Sequence, residues 1–340
     1  MNAPSPGPPT ITVIGDGLAG TVLALVLAQR GARVELVGGP EPMATALSYG
    51  ALPRGGPSRA WRRLERVHGP LGWRPSGLVL HEAREGLPRH LAALSQRLPL
   101  PLARVDIATW RAARPRALAS QGVGHRGERV RGLKLQPQGG WTLDGVPGLV
   151  ADTVVLAAGA GCRELWPSLP PRFRQSWAGV LLLEAGGPPN PWLDQARRGR
   201  IVQPRRWRRP ALEAAAATSE GPSWIVDAGL APWGQGVVVG QISLIPPAAT
   251  GLEPPDPRWM EERLRDGLGA LDPGLAHLQA PYRQVAVSFC VDGQPLVGPV
   301  PGAPGLWAFT GFSAAFSRVP ALAEALATRL LAKPEGTHSN

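Results

Sequence analysis

Apolar and polar positions follow three different rhythms along this chain, and its opening stretch contains two of them. "TITVI" (10–14) is apolar or β-branched without interruption, the pattern of a buried strand. "LAGTVLALVLAQ" is Ala- and Leu-rich and helical, and "RVELV" returns to a strand, so residues 10–37 predict a β-α-β unit. Downstream, Trp61, Leu64 and Val67 recur at helical spacing, as do Leu91, Leu94 and Leu98. Period-two alternation follows in "RVRGLKLQPQGGWTLDG", with a turn at Gly139-Gly140. "VADTVVLAAGAG" (150–161) predicts a buried strand ending in small residues. "WAGVLLLEA", "SWIVDAG" and "QGVVVGQISLI" predict further strands, and "WMEERLRDGLGAL" a helix. "YRQVAVSFCVDGQPLVGP" returns to the sheet, and "GLWAFTGFSAAFSRVPALAEALATRLLA" closes the chain with a strand, a turn and a helix.

Composition narrows this picture. With 340 residues, 44% of them hydrophobic, the chain can bury a large core, while 43 glycines and 39 prolines punctuate the apolar runs with many short loops. No apolar stretch approaches the ~20 residues of a membrane span. "MNAPSPGPPT" has no basic start and no apolar run, which predicts a loose tail and not a signal peptide. Two cysteines, Cys162 and Cys290, make no disulfide framework and fit a cytoplasmic location. The net charge of +11 raises the question of nucleic acid, but only Lys134 and Lys333 among the 36 basic residues are lysines, a skew that looks like codon bias. "RRWRRP" (205–210) is the one dense basic cluster and reads as a solvated loop or a contact for an anionic partner. The six histidines have no metal-ligand spacing, so no metal site is expected.

The turn "GDGLAG" carries the chemistry of the opening unit. In a glycine pattern between strand and helix, Gly15 permits the tight turn, Gly17 lets a pyrophosphate approach the backbone, and Gly20 lets the helix pack on the strand. The phosphates then meet the positive N-terminus of the helix. A carboxylate about 20 residues further on would bind the ribose hydroxyls. Gly38 stands there instead, with Glu35 in mid-strand and Glu41 beyond a turn. An acid restored at position 38 is therefore expected to tighten nucleotide binding.

Three stretches taken together resemble the D-amino-acid oxidase and glycine oxidase family of FAD-dependent oxidoreductases. They are "ADTVVLAAGAG", "ATALSYGALP" and the closing "DGQPLVGPVPGAPGLWAFTGFSAAFSRVPALAEALA". The resemblance implies an α/β fold, in which an FAD-binding Rossmann-like domain of the two-dinucleotide-fold type is interleaved with an antiparallel β-sheet substrate domain. Its expected segments are 10–85, 115–172 and 286–333 for FAD, and 86–114 and 173–285 for substrate. Residues 1–9 and 334–340 are tails. By the same resemblance Gly15, Gly17 and Gly20 would hold the pyrophosphate, and Asp16, Leu18 and Ala19 between and beside them would also belong to the cofactor site. Gly50 and Ala51 would line the flavin, Val130 the adenine, and Ala158 and Gly159 the passing cofactor. Gly311, Phe312, Ser313, Ala314 and Ala315 would present N–H groups to the flavin, although the family has more glycine where Ala314, Ala315 and Phe316 stand.

The implied reaction is oxidation of a C–N bond by hydride transfer to flavin N5, with oxygen as acceptor and an amine or amino acid as the small-molecule substrate. Two departures bear on that substrate. Amino-acid oxidases of the family place an arginine as a carboxylate clamp shortly before the Asp-Gly turn, and the corresponding position is Val287. Arg283 is on the same strand face but about 13 Å away at ~3.3 Å per residue. Where the family has a tyrosine and a Pro-Arg pair, this chain has Trp224 and Asp227-Ala228. Tyr282, Arg283, Trp224 and Phe312 are the remaining substrate-pocket candidates. Cys290 is too close to Asp292 to match the cysteine that attaches FAD in some relatives, so FAD is expected to bind non-covalently. The alternatives are an FAD-binding protein of the same fold without amino-acid oxidase turnover, and a tRNA-modifying flavoenzyme.

Overall fold

The continuous apolar run Thr10–Ile14 forms an inner strand because both of its faces are covered. The computed structural model describes residues 10–40, 43–81, 94–247 and 253–332. Thr10–Ile14 belongs to a six-stranded sheet. Edge to edge its strands are Leu296–Pro299, Leu306–Thr310, Thr153–Leu156, Thr10–Ile14, Arg33–Val37 and Gly124–Arg126. Only the Leu296–Pro299 edge strand is antiparallel. Helix Leu18–Gln29 shows little amphipathic character because it lies between this sheet and two other helices, Ile107–Ser120 and Ala315–Leu331. Gly56–His68 packs on the last helix through Trp61. That side chain is fully buried, stacks at 6.1 Å on Phe316, meets Trp110 edge-on at 5.6 Å, and donates its indole N–H to the Phe316 carbonyl at 2.7 Å. Truncating a buried tryptophan of this kind typically costs about 3–5 kcal/mol.

The second sheet has eight strands in the order Tyr282–Cys290, Phe173–Leu183, Gly236–Ile245, Ser223–Trp233, Ile201–Pro204, Trp73–His81, Leu100–Val105 and Ala51–Leu52. Strand alternation gives it two different faces. On the outer face Leu181, Leu230 and Val239 pack against Met260, Leu264 and Leu268 of helix Pro257–Leu271. On the inner face Val180, Leu182, Ala231 and Val238 pack against Leu47 and Tyr49, which follow the second strand of the first sheet, and against Ala51 of the edge strand Ala51–Leu52. The predicted hairpin at Gly139-Gly140 forms a small third sheet of Gly132–Leu135, Trp141–Asp144 and Val150–Ala151.

Four segments depart from the expected domain boundaries, and two of them, Ala51–Leu52 and the end of Tyr282–Cys290, pair in the eight-stranded sheet although 10–85 and 286–333 were expected for FAD. Trp73–His81 pairs with Ile201–Pro204 and Leu100–Val105, so it is part of the eight-stranded sheet and not of the nucleotide-binding unit. Ile107–Ser120, which the expected boundary at 114/115 divides, packs as one helix in the core beside Leu18–Gln29, so its first half leaves the substrate side. Pairing with strands distant in sequence decides the strand placements, and apolar packing in the core decides that of the helix. Val67, expected inside, is 43% exposed, and His68 takes the buried position. Leu91, the two tails and Glu41 lie outside the described residues. Helices Pro191–Arg197, Arg209–Ala215 and Ile107–Ser120 are among those that went unpredicted. The first had a legible signal, since Asn190 caps it by accepting the Trp192 and Leu193 N–H groups, and Pro191 follows the cap.

Candidate functional site

The three glycines of the first turn do different work. Gly15 has φ +107°, and a Cβ there would stand 2.5 Å from the Ala157 carbonyl oxygen. A Cβ on Gly20 would stand 1.8 Å from the Gly15 oxygen. Both are therefore required by packing of the turn itself. Gly17 is different. Its φ is −65°, and the nearest atom to a Cβ is Thr45 Oγ1 at 3.7 Å. Only the middle glycine opens onto space, at the N-terminus of helix Leu18–Gln29. Thr45 accepts the Leu18 N–H at 3.1 Å, so a hydroxyl from the Ala44–Leu47 turn stands at the same helix end. Ala19 turns towards the core. Sequence reasoning missed Thr45, whose signal was a hydroxyl inside a small-residue loop.

Beside this turn, at the carboxyl ends of the strands, lies an open cleft of about 440 Å³. Asp16, Gly38, Met43, Arg111, Arg114 and Gly127 line it. The Asp16 carboxylate pairs with Arg114 Nη1 at 3.1 Å and His125 Nε2 at 3.3 Å. A Cβ on Gly38 would lie 2.3 Å from Asp16 Cγ. An acid added at position 38 would thus collide with one already present, which overturns the expected gain in affinity. Glu35 is turned away, with its carboxylate 3.4 Å from Arg126. Val130 is buried among the side chains that support the small third sheet.

The C-terminal turn and the second glycine turn meet through Thr310, whose hydroxyl donates to the Gly159 carbonyl at 3.3 Å. Gly311, at φ +78°, sits over Cys290, whose sulfur would be 2.7 Å from a Cβ there. Cys290 is fully buried, and burial pushes its thiol up to about 11, so it is protonated and unreactive at neutral pH. Burial likewise pushes Cys162 up to about 11. Gly50 faces the Val105 carbonyl, only 2.1 Å from a Cβ, and its neighbour Ala51 joins the inner-face core. Ala314, the residue before the last helix, holds a left-handed conformation at φ +55° that glycine adopts with less strain. Phe312 is partly buried and packs edge-on against Phe309 at 4.8 Å, against the first core. The Ser313 hydroxyl donates to buried Glu213 at 2.6 Å, and Glu213 pairs with Arg209 at 2.8 Å.

Pairing in the eight-stranded sheet sorts the substrate candidates. Arg283 pairs with inner-face Val180 and Val287 with Ser176, so both point to the inner face. Tyr282 pairs with outer-face Leu181 and reaches Gln284. Trp224 meets Trp259 of the outer helix at 5.7 Å, under the Arg263 guanidinium. Tyr282 and Trp224 are thus not brought together with Val287. Sequence reasoning missed the inner-face polar groups Tyr49 and Asp227. The Asp227 carboxylate accepts the Arg208 and Arg209 N–H groups at 3.3 and 3.2 Å, which starts the Arg209–Ala215 helix. Burial pushes its carboxyl upward, against the pull of those donors. Tyr49 donates to the Gly240 carbonyl, and burial, aided by Asp227, pushes its phenol upward. The basic "RRWRRP" cluster is therefore partly committed to acids inside the protein.

Residues 112–329 match the family model for FAD dependent oxidoreductase. The chain belongs to that family. This FAD-dependent oxidoreductase has the fold of glycine oxidase from Geobacillus kaustophilus, with a TM-score of 0.67, 17% identity, and 94% of this chain and 93% of that one covered. Iminodiacetate oxidase from Chelativorans sp. BNC1 is similar, with a TM-score of 0.62, 19% identity, and coverage of 95% and 96%. A curated relative is 28% identical over 98% of this chain. It is the tRNA 5-methylaminomethyl-2-thiouridine biosynthesis bifunctional protein MnmC of Caulobacter sp. (strain K31). The chain spans 56% of that relative's length. Among the described residues no helix is long and apolar enough to cross a membrane.

Proposed function

We propose that this FAD-dependent oxidoreductase binds FAD non-covalently and oxidises a C–N bond of a small amine, with oxygen as acceptor. The observation that carries the reading is the division of labour in the first turn: Gly15 and Gly20 are filled by their own fold, while Gly17 faces free space at a helix N-terminus. That shape and the Thr45 hydroxyl fit a pyrophosphate. Bound FAD would supply the two-electron acceptor. The protein's part is positioning: the helix end and Thr45 hold the phosphates, and the inner sheet face around Val287 receives the substrate. Val287 offers no partner to a carboxylate, which favours an amine with none beside the reacting carbon. The buried, protonated Cys290 supports non-covalent attachment. Purified protein is expected to be yellow, and acid precipitation to release the flavin into the supernatant. Flavin held in the pellet would sink the non-covalent reading, and colourless protein that takes up no added FAD would sink the cofactor itself. An amine panel under air, read as peroxide, tests the reaction.

A second reading, action on a tRNA-borne amine, is supported by the name of the curated relative and by an open cleft of about 510 Å³. Arg54, Arg74, Arg104, Arg198 and Arg200 line that cleft, and among the described residues Arg104 alone of these is paired with an acid, Asp106 at 2.8 Å. Three or four arginine–phosphate contacts predict that tRNA affinity falls roughly 20- to 150-fold between 50 and 200 mM salt. Fluorescence anisotropy measures this. Binding that ignores salt, or that survives Arg74→Ala with Arg198→Ala, would exclude the cleft as the contact.

A further inference from the structure

The carboxylate missing from the end of the second strand has not been lost; it has moved. We infer that Asp16, from the first glycine turn, supplies the ribose-facing carboxylate of this nucleotide site, an inference that rests on the FAD reading above. Gly38 and Asp16 contend for one volume. A Cβ on Gly38 would fall 2.3 Å from Asp16 Cγ, 2.5 Å from its Cβ and 2.5 Å from Oδ1. The Asp16 side chain thus fills the point from which an acid at position 38 would project. Position 38 is not among the glycines with positive φ, so its backbone accepts any side chain, and Asp16 is what excludes one. The residue lines the cleft together with Gly38, at the carboxyl ends of the first two strands where a dinucleotide's ribose lies.

The geometry leaves Asp16 able to accept from a ligand. Its Oδ2 takes both cationic partners, Arg114 at 3.1 Å and His125 at 3.3 Å. Oδ1 is the oxygen turned towards the space over Gly38. A carboxylate accepts about four hydrogen bonds, so a ribose hydroxyl can be added without displacing either partner. Arg114 also donates to the Asp16 carbonyl at 2.5 Å, which fixes the turn and the side chain together. Asp16 is thereby held in place from the Ile107–Ser120 helix, and its position does not depend on the second strand.

The test is a swap read by equilibrium binding to apoprotein, as quenching of flavin fluorescence, with FMN as the control that lacks the adenosine. Asp16→Ala is expected to reduce the preference for FAD over FMN by about 10- to 100-fold, as for loss of a hydrogen bond to a charged group. Gly38→Glu alone is expected to lose affinity as well, because two carboxylates then compete for one place. The double variant Asp16→Ala/Gly38→Glu is expected to regain most of the preference. Equal weakening of FMN and FAD by Asp16→Ala would mean that Asp16 only braces Arg114 and His125, and would overturn the inference. So would a Gly38→Glu protein that binds FAD more tightly than wild type. Wild-type protein that binds no FAD would overturn the cofactor reading and this inference together, whereas normal wild-type binding unchanged by Asp16→Ala overturns this inference alone.

Discussion

Gly17→Phe is expected to give a folded protein that retains no FAD. The backbone at Gly17 has an ordinary φ of −65°, and the only atom near a new Cβ is Thr45 Oγ1 at 3.7 Å. A Cβ there makes only an ordinary contact among the described residues, so a larger side chain is expected to occupy the space next to the helix end where the pyrophosphate would lie. The thermal midpoint of the apoprotein should be close to wild type, and the flavin absorbance should be absent even after incubation with excess FAD. Gly20→Ala is the contrast. Its Cβ would press on the Gly15 carbonyl at 1.8 Å, so the turn must move and stability itself falls. Full FAD retention by Gly17→Phe would show that the cofactor does not lie over this turn.

Glycine and D-alanine are expected to be poor substrates, with kcat/KM roughly 10²–10³-fold below that of a good neutral amine, because removing one partner of a buried charge pair costs about 3–5 kcal/mol. The physical cause is local. Val287 lies on the inner sheet face opposite Ser176, and a carboxylate brought there loses its hydration with no guanidinium to receive it. Arg283 is on the same face but two alternations away, exposed, and donating to its neighbour's carbonyl at 2.9 Å. Arg209 is committed to Glu213, and Arg174 to the Ala216 and Pro246 carbonyls. Val287→Arg should narrow the gap between amino acids and amines in steady-state peroxide release. Rapid glycine turnover by the wild-type protein would refute this account and direct attention to Arg209, which loses its partner if Glu213 moves.

The sequence alone determined the β-α-β unit, the strand that ends in small residues and the closing strand-turn-helix, because each is a local pattern of period and turn chemistry. Family membership was legible for the same reason: its motifs are short stretches held at fixed places in chain order. The tertiary structure decided what the sequence left ambiguous. Gly38 looked like a deficit because its consequence depends on Asp16, 22 positions earlier, and only folding brings the two side-chain volumes together. Alternation already put Arg283 on the face of Val287, but cross-strand pairing was needed to show that this face is the inner one and that Tyr282 and Trp224 meet the outer one. Residues 73–81 fell within the segment expected for FAD, and only the pairing of Trp73–His81 placed that strand in the eight-stranded sheet. Thr45, Asp227 and Glu213 were invisible for a related reason. Each makes at least one hydrogen bond to a residue 18 or more positions distant, and no local rhythm encodes such a contact.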